Sequence, residues 1–589
     1  MGFGASMAGL IFFLLGFLIY SNTFQASFNL DDFPVIVENL AIRRLDLRAI
    51  WEAFNARFVV GLTLALNYAF GKLDVFGYHL FNITCHVLSS FLVYTLVLLT
   101  FQTPALKESP LRMNRSLIAF FAALLFLAHP VQSQAVNYIW ARTASLATFF
   151  YLVSVVLYLR ARLTSRLPYC FGALLTTLLG MFTKEITFTL PLMLLLCELS
   201  FFGHWREETK KRLALLAPFL LTLVIIPLTL TQAGAVVMPV VRTDSDYTCS
   251  YPQYLMTQLN VVRTYLRLLF LPINQNLDYD YPVSRSLLEP GVLFSILLLA
   301  AIGVGATKAF RKQRLLFFGI IWFFLALSVE SLKQLTMIIF EHRLYLPMAG
   351  FAVFLSTGLF LLLKDAKKFV VVFSCIIFVS SIATHHRNEV WKDGVSLWKD
   401  VIKKSPNRGR GYQNIGLVYF DEGNYDEAIV YCQKAVWIDP RRRAKAYNCL
   451  GMAYGKKGDY DKAIAYCQKA IEHDPGLAKA YNNLGIAFGQ KGNHTKEIAY
   501  YQKAVELDPG YAQAYGNLGT VYLEQGAVDR AIASYEKAVA LDPDDAKTHH
   551  NLAVAYHRRG NRMGALKQVD RLRALHRPDL VAQWETLNE

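Results

Sequence analysis

The sequence predicts an all-helical protein in two parts, a bundle of helices that crosses a membrane many times and a following solenoid of paired helices. The 589 residues are 54% apolar with a mean hydropathy of +0.31, which is more apolar than an ordinary soluble protein. The last third instead repeats itself with a period of 34 or 35 residues. We therefore predict a membrane part over 1–385 and a repeat part over 386–589.

Apolar stretches that approach the thickness of the hydrocarbon layer recur through the membrane part. About eleven candidate spans precede His385: Ala5–Asn22, Tyr78–Thr100, Ser116–His129, Ala144–Tyr158, Tyr169–Phe182, Thr187–Phe202, Ala214–Thr231, Gly291–Thr307, Leu315–Val329, Tyr345–Leu363 and Phe369–Thr384. The first is expected to remain as a transmembrane helix, because no Lys or Arg precedes it. The stretch 254–271 is also apolar, but Arg263 and Arg267 share one face, which predicts an amphipathic helix at the membrane interface.

Basic connecting segments indicate how the chain is oriented in the membrane. Five such segments fall on one side of the predicted bundle: 107–115, 160–166, 206–212, 308–314 and 364–368. Positive loops mark the cytoplasmic side, so the repeats are predicted to lie outside the cytoplasm. The formal charge of +16 is then a sign of topology, and we expect no nucleic-acid partner, because no basic face interleaved with stacking aromatics is present.

The repeat part shows the pattern of tetratricopeptide repeats. Glycine recurs at 416, 451, 485 and 519, and proline at 440, 475, 509 and 543. Each unit has an aromatic residue near its start and a second helix that ends in Asp-Pro. Four full units from Gly411 are predicted, with half a unit before them over Trp391–Pro406 and a fifth, degenerate unit over Ala546–Asp570.

One polar position in the repeats is a candidate for binding an acceptor protein. It is occupied by Asn414, Asn483, Asn517 and Asn551, with Cys449 in its place in the second unit. A carboxamide offers both a donor and an acceptor to a peptide backbone, but Asn is also common in the repeat consensus, and both interpretations stay open. The cysteines lack CxxC spacing, and Cys432 and Cys467 fall at the same repeat position, so we expect buried packing and no disulfide.

Asp31 and Asp32 directly follow the first predicted span, at the outer surface. One of them could act as a general base, bind a metal ion or bind a sugar hydroxyl. The alternative is an ordinary helix cap, since acidic residues are frequent at such positions.

Further polar residues are predicted at the same depth. They include His79, Asn82 and His86, which share one stripe of a helix, together with Tyr78, Arg142, Lys184, Glu185, Glu341, His342 and Arg343. Arginine offers a planar fork of donors to a phosphate, so Arg142 is a candidate phosphate ligand. The alternatives are hydrogen bonds between helices and charged side chains that merely extend to the membrane surface.

In order and spacing, these residues resemble the transmembrane and tetratricopeptide repeat containing family. The matching stretches are Asp31-Asp32, 77–82 with His86, 129–142, Lys184-Glu185, and 341–347 with Gly350. The membrane part of that family is of the GT-C class of glycosyltransferases, which use lipid-phosphate sugars. Gln132, Gln134, Ala144 and the small number of repeats depart from the animal members and resemble bacterial relatives.

The resemblance implies transfer of a sugar from a polyprenyl or dolichyl phosphate to a Ser or Thr hydroxyl of a protein outside the cytoplasm. Asp31 or Asp32 is the expected base, and Arg142, Lys184, His342 and Arg343 are the expected ligands of the donor phosphate. Tyr78, His79, Asn82, His86, Glu185 and Glu341 are expected to line the pocket, while the repeats recruit the acceptor. No cofactor is required, although the acidic pair leaves a divalent metal open.

The resemblance also leaves alternatives. A bacterial cytoplasmic membrane is the first expected location and the endoplasmic reticulum the second. The chain could be a membrane-anchored repeat scaffold for envelope or secretion assemblies, or a GT-C enzyme acting on a glycan or lipid. One span would suffice to anchor a scaffold, so about eleven spans with charged outer segments favour an enzyme.

Overall fold

The computed structural model describes residues 4–202, 205–233, 249–333 and 337–588, and it divides into two compact units, Met1–Asp400 and Val401–Glu589. Both units are built from helices, which confirms the predicted all-helical class. The predicted boundary at 385/386 falls inside the helix Ala366–Glu389, and the compact units meet later in the chain. Parts of two predicted outer segments, 234–248 and 334–336, lie outside the described residues.

Among the described residues of the first unit, sixteen α-helices are present: α1 Ala5–Ile19, α2 Leu47–Phe54, α3 Phe58–Gly71, α4 Val75–Thr100, α5 Arg115–Ala128, α6 Ser133–Asn137, α7 Arg142–Thr164, α8 Leu167–Met181, α9 Leu190–Phe201, α10 Trp205–Leu221, α11 Ile225–Ala233, α12 Tyr251–Phe270, α13 Pro290–Lys312, α14 Arg314–Leu332, α15 Pro347–Leu363 and α16 Ala366–Glu389. Each of the eleven predicted spans coincides with one or two of these helices. In the described residues, eight segments are long and apolar enough to cross a membrane, and α1, α8 and α15 are shorter apolar helices.

One of those eight segments, Leu47–Gly71, is a helical region that the sequence analysis missed. It bends at Asn55, which has a φ of +40°, and the polar run 55–57 separates α2 from α3. Helix α3 packs beside the start of α4, where the Asn67 side chain donates to the Gly77 carbonyl at 3.1 Å. The helix thereby joins the group of elements that surround the first residues of α4 and α7.

Helix α12 covers the stretch predicted to be amphipathic. Its apolar face is buried, whereas Arg263 and Arg267 donate to the carbonyls of Gly291 and Ile273 at its sides. The structure confirms the amphipathic helix, and its place at a membrane interface stays a prediction.

Small residues allow α14 and α15 to cross closely. A Cβ atom added to Gly319 would lie 2.7 Å from the Gly350 carbonyl oxygen, and one added to Gly350 would lie 2.7 Å from that of Gly319. No side chain fits there, and such contacts are a common means of helix packing in membranes. The crossing fixes the two helices that flank the segment carrying Glu341, His342 and Arg343.

The second unit contains the predicted series of helix pairs. Helix α17 Gly394–Lys404 leads into it, and five pairs follow: α18 Gly409–Asp421 with α19 Tyr425–Ile438, α20 Arg443–Lys456 with α21 Tyr460–His473, α22 Ala478–Gln490 with α23 His494–Leu507, α24 Ala512–Glu524 with α25 Val528–Leu541, and α26 Ala546–Arg558 with α27 Arg562–Ala574. Helix α28, Pro578–Asn588, ends the series. Each pair is one repeat unit, and from here on units 1 to 5 refer to these five pairs and not to the two compact units of the chain. The turn inside each pair has a glycine with φ between 74° and 83°.

The structure corrects one expectation about the cysteines. Cys432 of unit 1 forms a disulfide with Cys449 of unit 2, so the prediction that Cys432 serves only as buried packing is wrong. Cys467, at the same position of unit 2 as Cys432 in unit 1, is buried and free, as expected. The prediction failed because it compared equivalent positions in successive repeats, whereas the bond joins two different positions.

Candidate functional site

The segments predicted to lie on the outer side gather at one end of the bundle. Thr23 donates to Asn137 at 2.8 Å, and Asn137 donates to Asn388 at 2.7 Å. Further contacts join 27 to 392, 31 to 138, 184 to 330 and 134 to 342. The common position of these segments is therefore a feature of the fold, whereas the compartment that they face stays a prediction.

The two neighbouring aspartates have different surroundings. Asp31 is exposed, and the Tyr138 hydroxyl donates to its Oδ2 atom at 2.8 Å. The same hydroxyl accepts a hydrogen bond from the Asp31 backbone N–H at 3.1 Å. Asp31 thus presents an oriented carboxylate at the surface of this end of the bundle.

Asp32 is 1% exposed, and both of its carboxylate oxygens are used. Oδ1 accepts from the backbone N–H of Trp140 at 2.7 Å, and Oδ2 accepts from that of Asn29 at 3.0 Å. Burial raises the pKa of Asp32 to about 8, and the Asp31 charge adds to this, although the two backbone bonds and the Arg142 charge oppose it. Asp32 joins two chain segments and is enclosed, which leaves Asp31 as the accessible carboxylate of the pair.

Arg142 is fully buried, whereas the sequence predicts an arginine that is accessible to a phosphate at the membrane surface. Its guanidinium donates to Asn82 Oδ1 at 2.8 Å, Asn67 Oδ1 at 2.7 Å and the Tyr78 carbonyl at 3.0 Å. A longer contact of 3.4 Å reaches the Thr63 hydroxyl. The guanidinium therefore holds α3, α4 and α7 together, and its donors are directed at protein groups.

The predicted stripe on α4 is also internal. His79 donates from Nε2 to the Ala26 carbonyl at 2.9 Å, and His86 contacts the Tyr345 hydroxyl at 2.7 Å and the Leu127 carbonyl at 3.0 Å. Both histidines and Asn82 are fully buried, and the Tyr78 hydroxyl donates to the Lys72 carbonyl at 2.9 Å. These residues do not line an open pocket, because their polar atoms bind neighbouring helices and loops, as the alternative interpretation predicts.

Glu341 likewise serves the interior. It is 1% exposed and accepts hydrogen bonds from the Asn276 backbone and the Tyr279 hydroxyl, both at 2.6 Å, and from the Gln275 side chain at 3.0 Å. Its carboxylate fixes the loop that follows α12, which differs from the predicted pocket role.

A cluster of charged residues lies beside the acidic pair, and we call it the cationic cluster. Its members are Arg57, Lys184, Glu185, Glu330, Lys333, His342 and Arg343. Lys184 Nζ lies 2.6 Å and Arg343 Nε 3.5 Å from the carboxylate of Glu330. Arg57 lies 3.5 Å and Lys333 3.9 Å from that of Glu185.

Positive charge exceeds negative charge in this cluster, because two arginines and two lysines face two glutamates. Burial opposes ionisation of Glu185, but the charges of Arg57 and Lys333 prevail and lower its pKa to about 2. Burial and the charges of Lys184, Arg343 and Arg57 keep the pKa of His342 well below its usual range. The excess of two positive charges is therefore intrinsic to the site and suits a bound anion.

Accessibility separates the four cations into two groups. The side chains of Lys184 and Arg343 are 7% and 5% exposed and hold Glu330, whereas those of Arg57 and Lys333 are 32% and 48% exposed. Arg57 and Lys333 can therefore contact a ligand directly, whereas Lys184 and Arg343 hold the Glu330 side chain in place.

Trp140 connects the cluster to the acidic pair. The Arg57 guanidinium lies 5.4 Å from the centre of the Trp140 ring, and the Trp140 backbone N–H binds Asp32. Sequence reasoning did not assign Glu330 or Lys333 to the site, although Glu330 directly follows the predicted span Leu315–Val329 and Lys333 lies three residues further on, which was a usable signal. In the described part of the chain, no group of three His, Cys, Asp or Glu residues is arranged to hold a metal ion.

The asparagines of the repeats contact one another across unit boundaries. Asn483 donates to Asn448 at 2.8 Å, and Asn517 donates to Asn482 at 2.9 Å. Asn414 and Asn551 are half-buried at the equivalent positions of units 1 and 5. The carboxamides therefore contribute to packing between repeats, and acceptor binding by them stays a prediction.

Comparisons with known proteins support the division into two parts. Profiles described as tetratricopeptide repeat match 409–442, 444–477, 478–511 and 500–533, and one described as TPR repeat matches 520–560. The crystal structure of MamA is 32% identical over 26% of this chain and 89% of that chain, with a TM-score of 0.23. The profile matches confirm the predicted kind of repeat.

Longer similarities extend into the membrane part. Protein O-mannosyl-transferase F38B6.6 of Caenorhabditis elegans is 25% identical over 73% of this chain and 62% of its own length. Protein O-mannosyl-transferase Tmtc3 of Drosophila melanogaster is 25% identical over 71% of this chain and 54% of its length, and human TMTC3 is 22% identical over 64% and 44%. The chain spans about half the length of the curated relatives it matches. It is similar to the TMTC proteins, as its residues predict, while the likeness to bacterial members stays a prediction.

Proposed function

We propose that the chain is a membrane glycosyltransferase that moves a sugar from a polyprenyl- or dolichyl-phosphate carrier to a hydroxyl group of a protein, with Asp31 as the general base. The observation that carries the proposal is an exposed, oriented carboxylate beside a site with excess positive charge, both at one end of a bundle of apolar helices. The names of the relatives, protein O-mannosyl-transferases, agree with this chemistry.

Asp31 suits the part of the base because it is the accessible member of the acidic pair. The incoming Ser or Thr hydroxyl gives its proton to the Asp31 carboxylate while its oxygen bonds to the anomeric carbon. The bond between that carbon and the phosphate oxygen breaks, and the lipid phosphate leaves with the electron pair. A single displacement of this kind inverts the anomeric centre and requires one base only.

The cationic cluster suits the donor phosphate. Arg57 and Lys333 are the exposed cations, and we assign them the direct contacts, with His342 beside them. Lys184 and Arg343 position these groups by holding Glu330. Cations that meet the charge developing on a leaving phosphate stabilise the transition state without a metal ion.

Arg142 acts in this proposal as a positioning residue, because it connects α3 to α4 and α7.

The repeats supply a surface that suits an acceptor protein. Solenoids of helix pairs bind extended peptides or proteins on their concave side. Asn414, Asn483, Asn517 and Asn551 remain our candidates there, since a carboxamide that donates once still has an oxygen and a second N–H. An enzyme that transfers sugar to a glycan or lipid would keep the same base and leave the repeats to a partner protein.

Transfer by the purified full-length chain tests the proposal. The reaction would contain a labelled polyprenyl-phosphate mannose and a panel of Ser/Thr-rich peptides and secreted proteins. We expect Asp31→Asn to lower transfer by at least about 100-fold while donor binding is kept, as is typical for loss of a general base. Glu38→Gln, a change in an exposed carboxylate of the same segment, is the matched control. Equal transfer by the wild type and Asp31→Asn would exclude Asp31 as the base, and the absence of any transfer would favour a repeat scaffold.

A further inference from the structure

The first boundary between repeat units differs from the next two in the bond that crosses it. Across the boundaries of units 2 and 3 and of units 3 and 4, Asn483 and Asn517 donate hydrogen bonds to Asn448 and Asn482. Cys449 takes the place of this asparagine in unit 2, and its sulfur is bonded to Cys432 of unit 1. The boundary between units 1 and 2 is therefore crossed by a covalent bond from this repeat position, whereas the next two boundaries are crossed by a hydrogen bond from it.

The chain contains an internal comparison for this pair. Cys432 packs against Gly416, and Cys467 packs in the same way against Gly451 one unit later. Both cysteines are fully buried, but the repeat that follows Cys467 has Asn483 at the position that Cys449 occupies in the repeat that follows Cys432. The substitution at position 449 is therefore what distinguishes the bonded cysteine from the free one.

We propose that the Cys432–Cys449 disulfide is a modification of the mature protein that cross-links units 1 and 2, and that the repeats consequently fold in an oxidising compartment. Two thiols give up two protons and two electrons, and a disulfide of an oxidoreductase or of a small thiol compound is the class of acceptor. In two successive exchange steps, the two sulfurs of this acceptor disulfide are released as thiols while the Cys432–Cys449 bond forms. Structural disulfides persist outside the reducing cytoplasm, which agrees with the side predicted from the basic loops. This inference does not depend on sugar transfer.

Burial determines when the bond forms. Both sulfurs belong to fully buried residues, so an oxidant reaches them only before the two units have closed on each other. For the same reason, a reductant is excluded once the repeats have folded. We expect the bond to resist a mild thiol reductant in the native chain and to be reduced readily in denaturant.

Thiol trapping on the full chain tests whether the bond forms. Cells are quenched in acid, and the denatured protein is treated with a maleimide before and after reduction, followed by peptide mass spectrometry. We expect Cys432 and Cys449 to be recovered as one linked peptide and labelled only after reduction, with Cys467 labelled in both samples. In Cys432→Ala the maleimide should label Cys449 without reduction, whereas Cys467→Ala should change only its own peptide. Labelling of Cys432 and Cys449 in unreduced wild-type protein would overturn the proposal.

Hydrogen exchange of the full chain tests the cross-link itself. Removing a disulfide commonly increases the population of open states by about 100-fold. We expect amides of α18 and α19 to exchange faster by about that factor in the variant Cys432→Ala/Cys449→Ala, while Cys467→Ala leaves them unchanged. Equal exchange in the two variants would show that the bond does not hold units 1 and 2 together.

Discussion

The hydroxyl of Tyr138 donates a hydrogen bond of 2.8 Å to Asp31, although the two residues lie 107 positions apart in the sequence. The contact orients the carboxylate that we propose as the base. We expect Tyr138→Phe to lower transfer by about 10-fold, less than Asp31→Asn does, because a hydrogen bond to a charged group is lost while the base remains. Steady-state kinetics should show the loss in kcat with the donor KM unchanged. Tyr281→Phe removes a hydroxyl that contacts Thr264 instead, and it should transfer normally. A rise in donor KM in Tyr138→Phe would place Tyr138 in donor binding.

Arg57→Ala and Lys333→Ala are expected to weaken binding of the donor. Each change removes an exposed cation that we assign to the phosphate before and during transfer, so kcat/KM should fall by about 10- to 100-fold, through a higher KM for the donor and a lower kcat. Higher salt should reduce the difference from the wild type, because the contacts are partly exposed. Arg48→Ala, a change in an exposed arginine that pairs with Glu52, should have no effect. An unchanged donor KM in both cluster variants would require another phosphate site.

Arg142→Ala is expected to affect stability before it affects donor binding. The substitution leaves the buried carboxamide oxygen of Asn82 and the half-buried one of Asn67 without their donor, at a cost on the order of 3 kcal/mol. Thermal unfolding of the detergent-solubilised chain should show a clearly lower Tm, and the folded fraction should keep its KM for the donor. A variant of normal Tm with a raised donor KM would instead make Arg142 a phosphate ligand.

Asp32 should make the stability of the membrane unit depend on pH. Its pKa is raised from 3.8 to about 8 in the folded chain, so between these values the folded state holds a proton that the unfolded state has released. Stability contributed by this proton is present at the acidic end of the window and is lost as the pH rises through about 8. We expect the Tm to fall over this range, and to fall less in Asp32→Asn. A Tm in the wild type that rises through the same window would contradict the environment assigned to Asp32.

Local sequence patterns predicted the helices and the repeat units better than they predicted the candidate functional site. Apolar runs and a repeat period are properties of neighbouring residues, so the helices that coincide with the eleven predicted spans and the repeat units could be predicted from them. The break at Asn55 interrupted the apolar run of α2 and α3, and that helical segment was missed.

Burial, in contrast, depends on residues far along the chain. Nothing in the dipeptide Asp31-Asp32 indicates that Tyr138 meets one carboxylate and the backbone of Trp140 the other. Arg142 had the right chemistry for a phosphate ligand, but the asparagines of α3 and α4 take its donors. The proposed function therefore followed from the resemblance, while the separate proposals for residues within the site required the fold.

The contact between Gly319 and Gly350 has a mechanical consequence for the cationic cluster. Glu330 and Lys333 end one arm of a helical hairpin, and His342 and Arg343 precede the other arm. Because the two backbones touch at the glycines, one arm cannot slide along the other without a steric collision. The relative position of the two helices therefore sets the position of Glu330, Lys333 and Arg343, which are three of the six charged groups, and of His342. A single added methyl group at the crossing, deep among apolar side chains, would displace these charges without altering any of them.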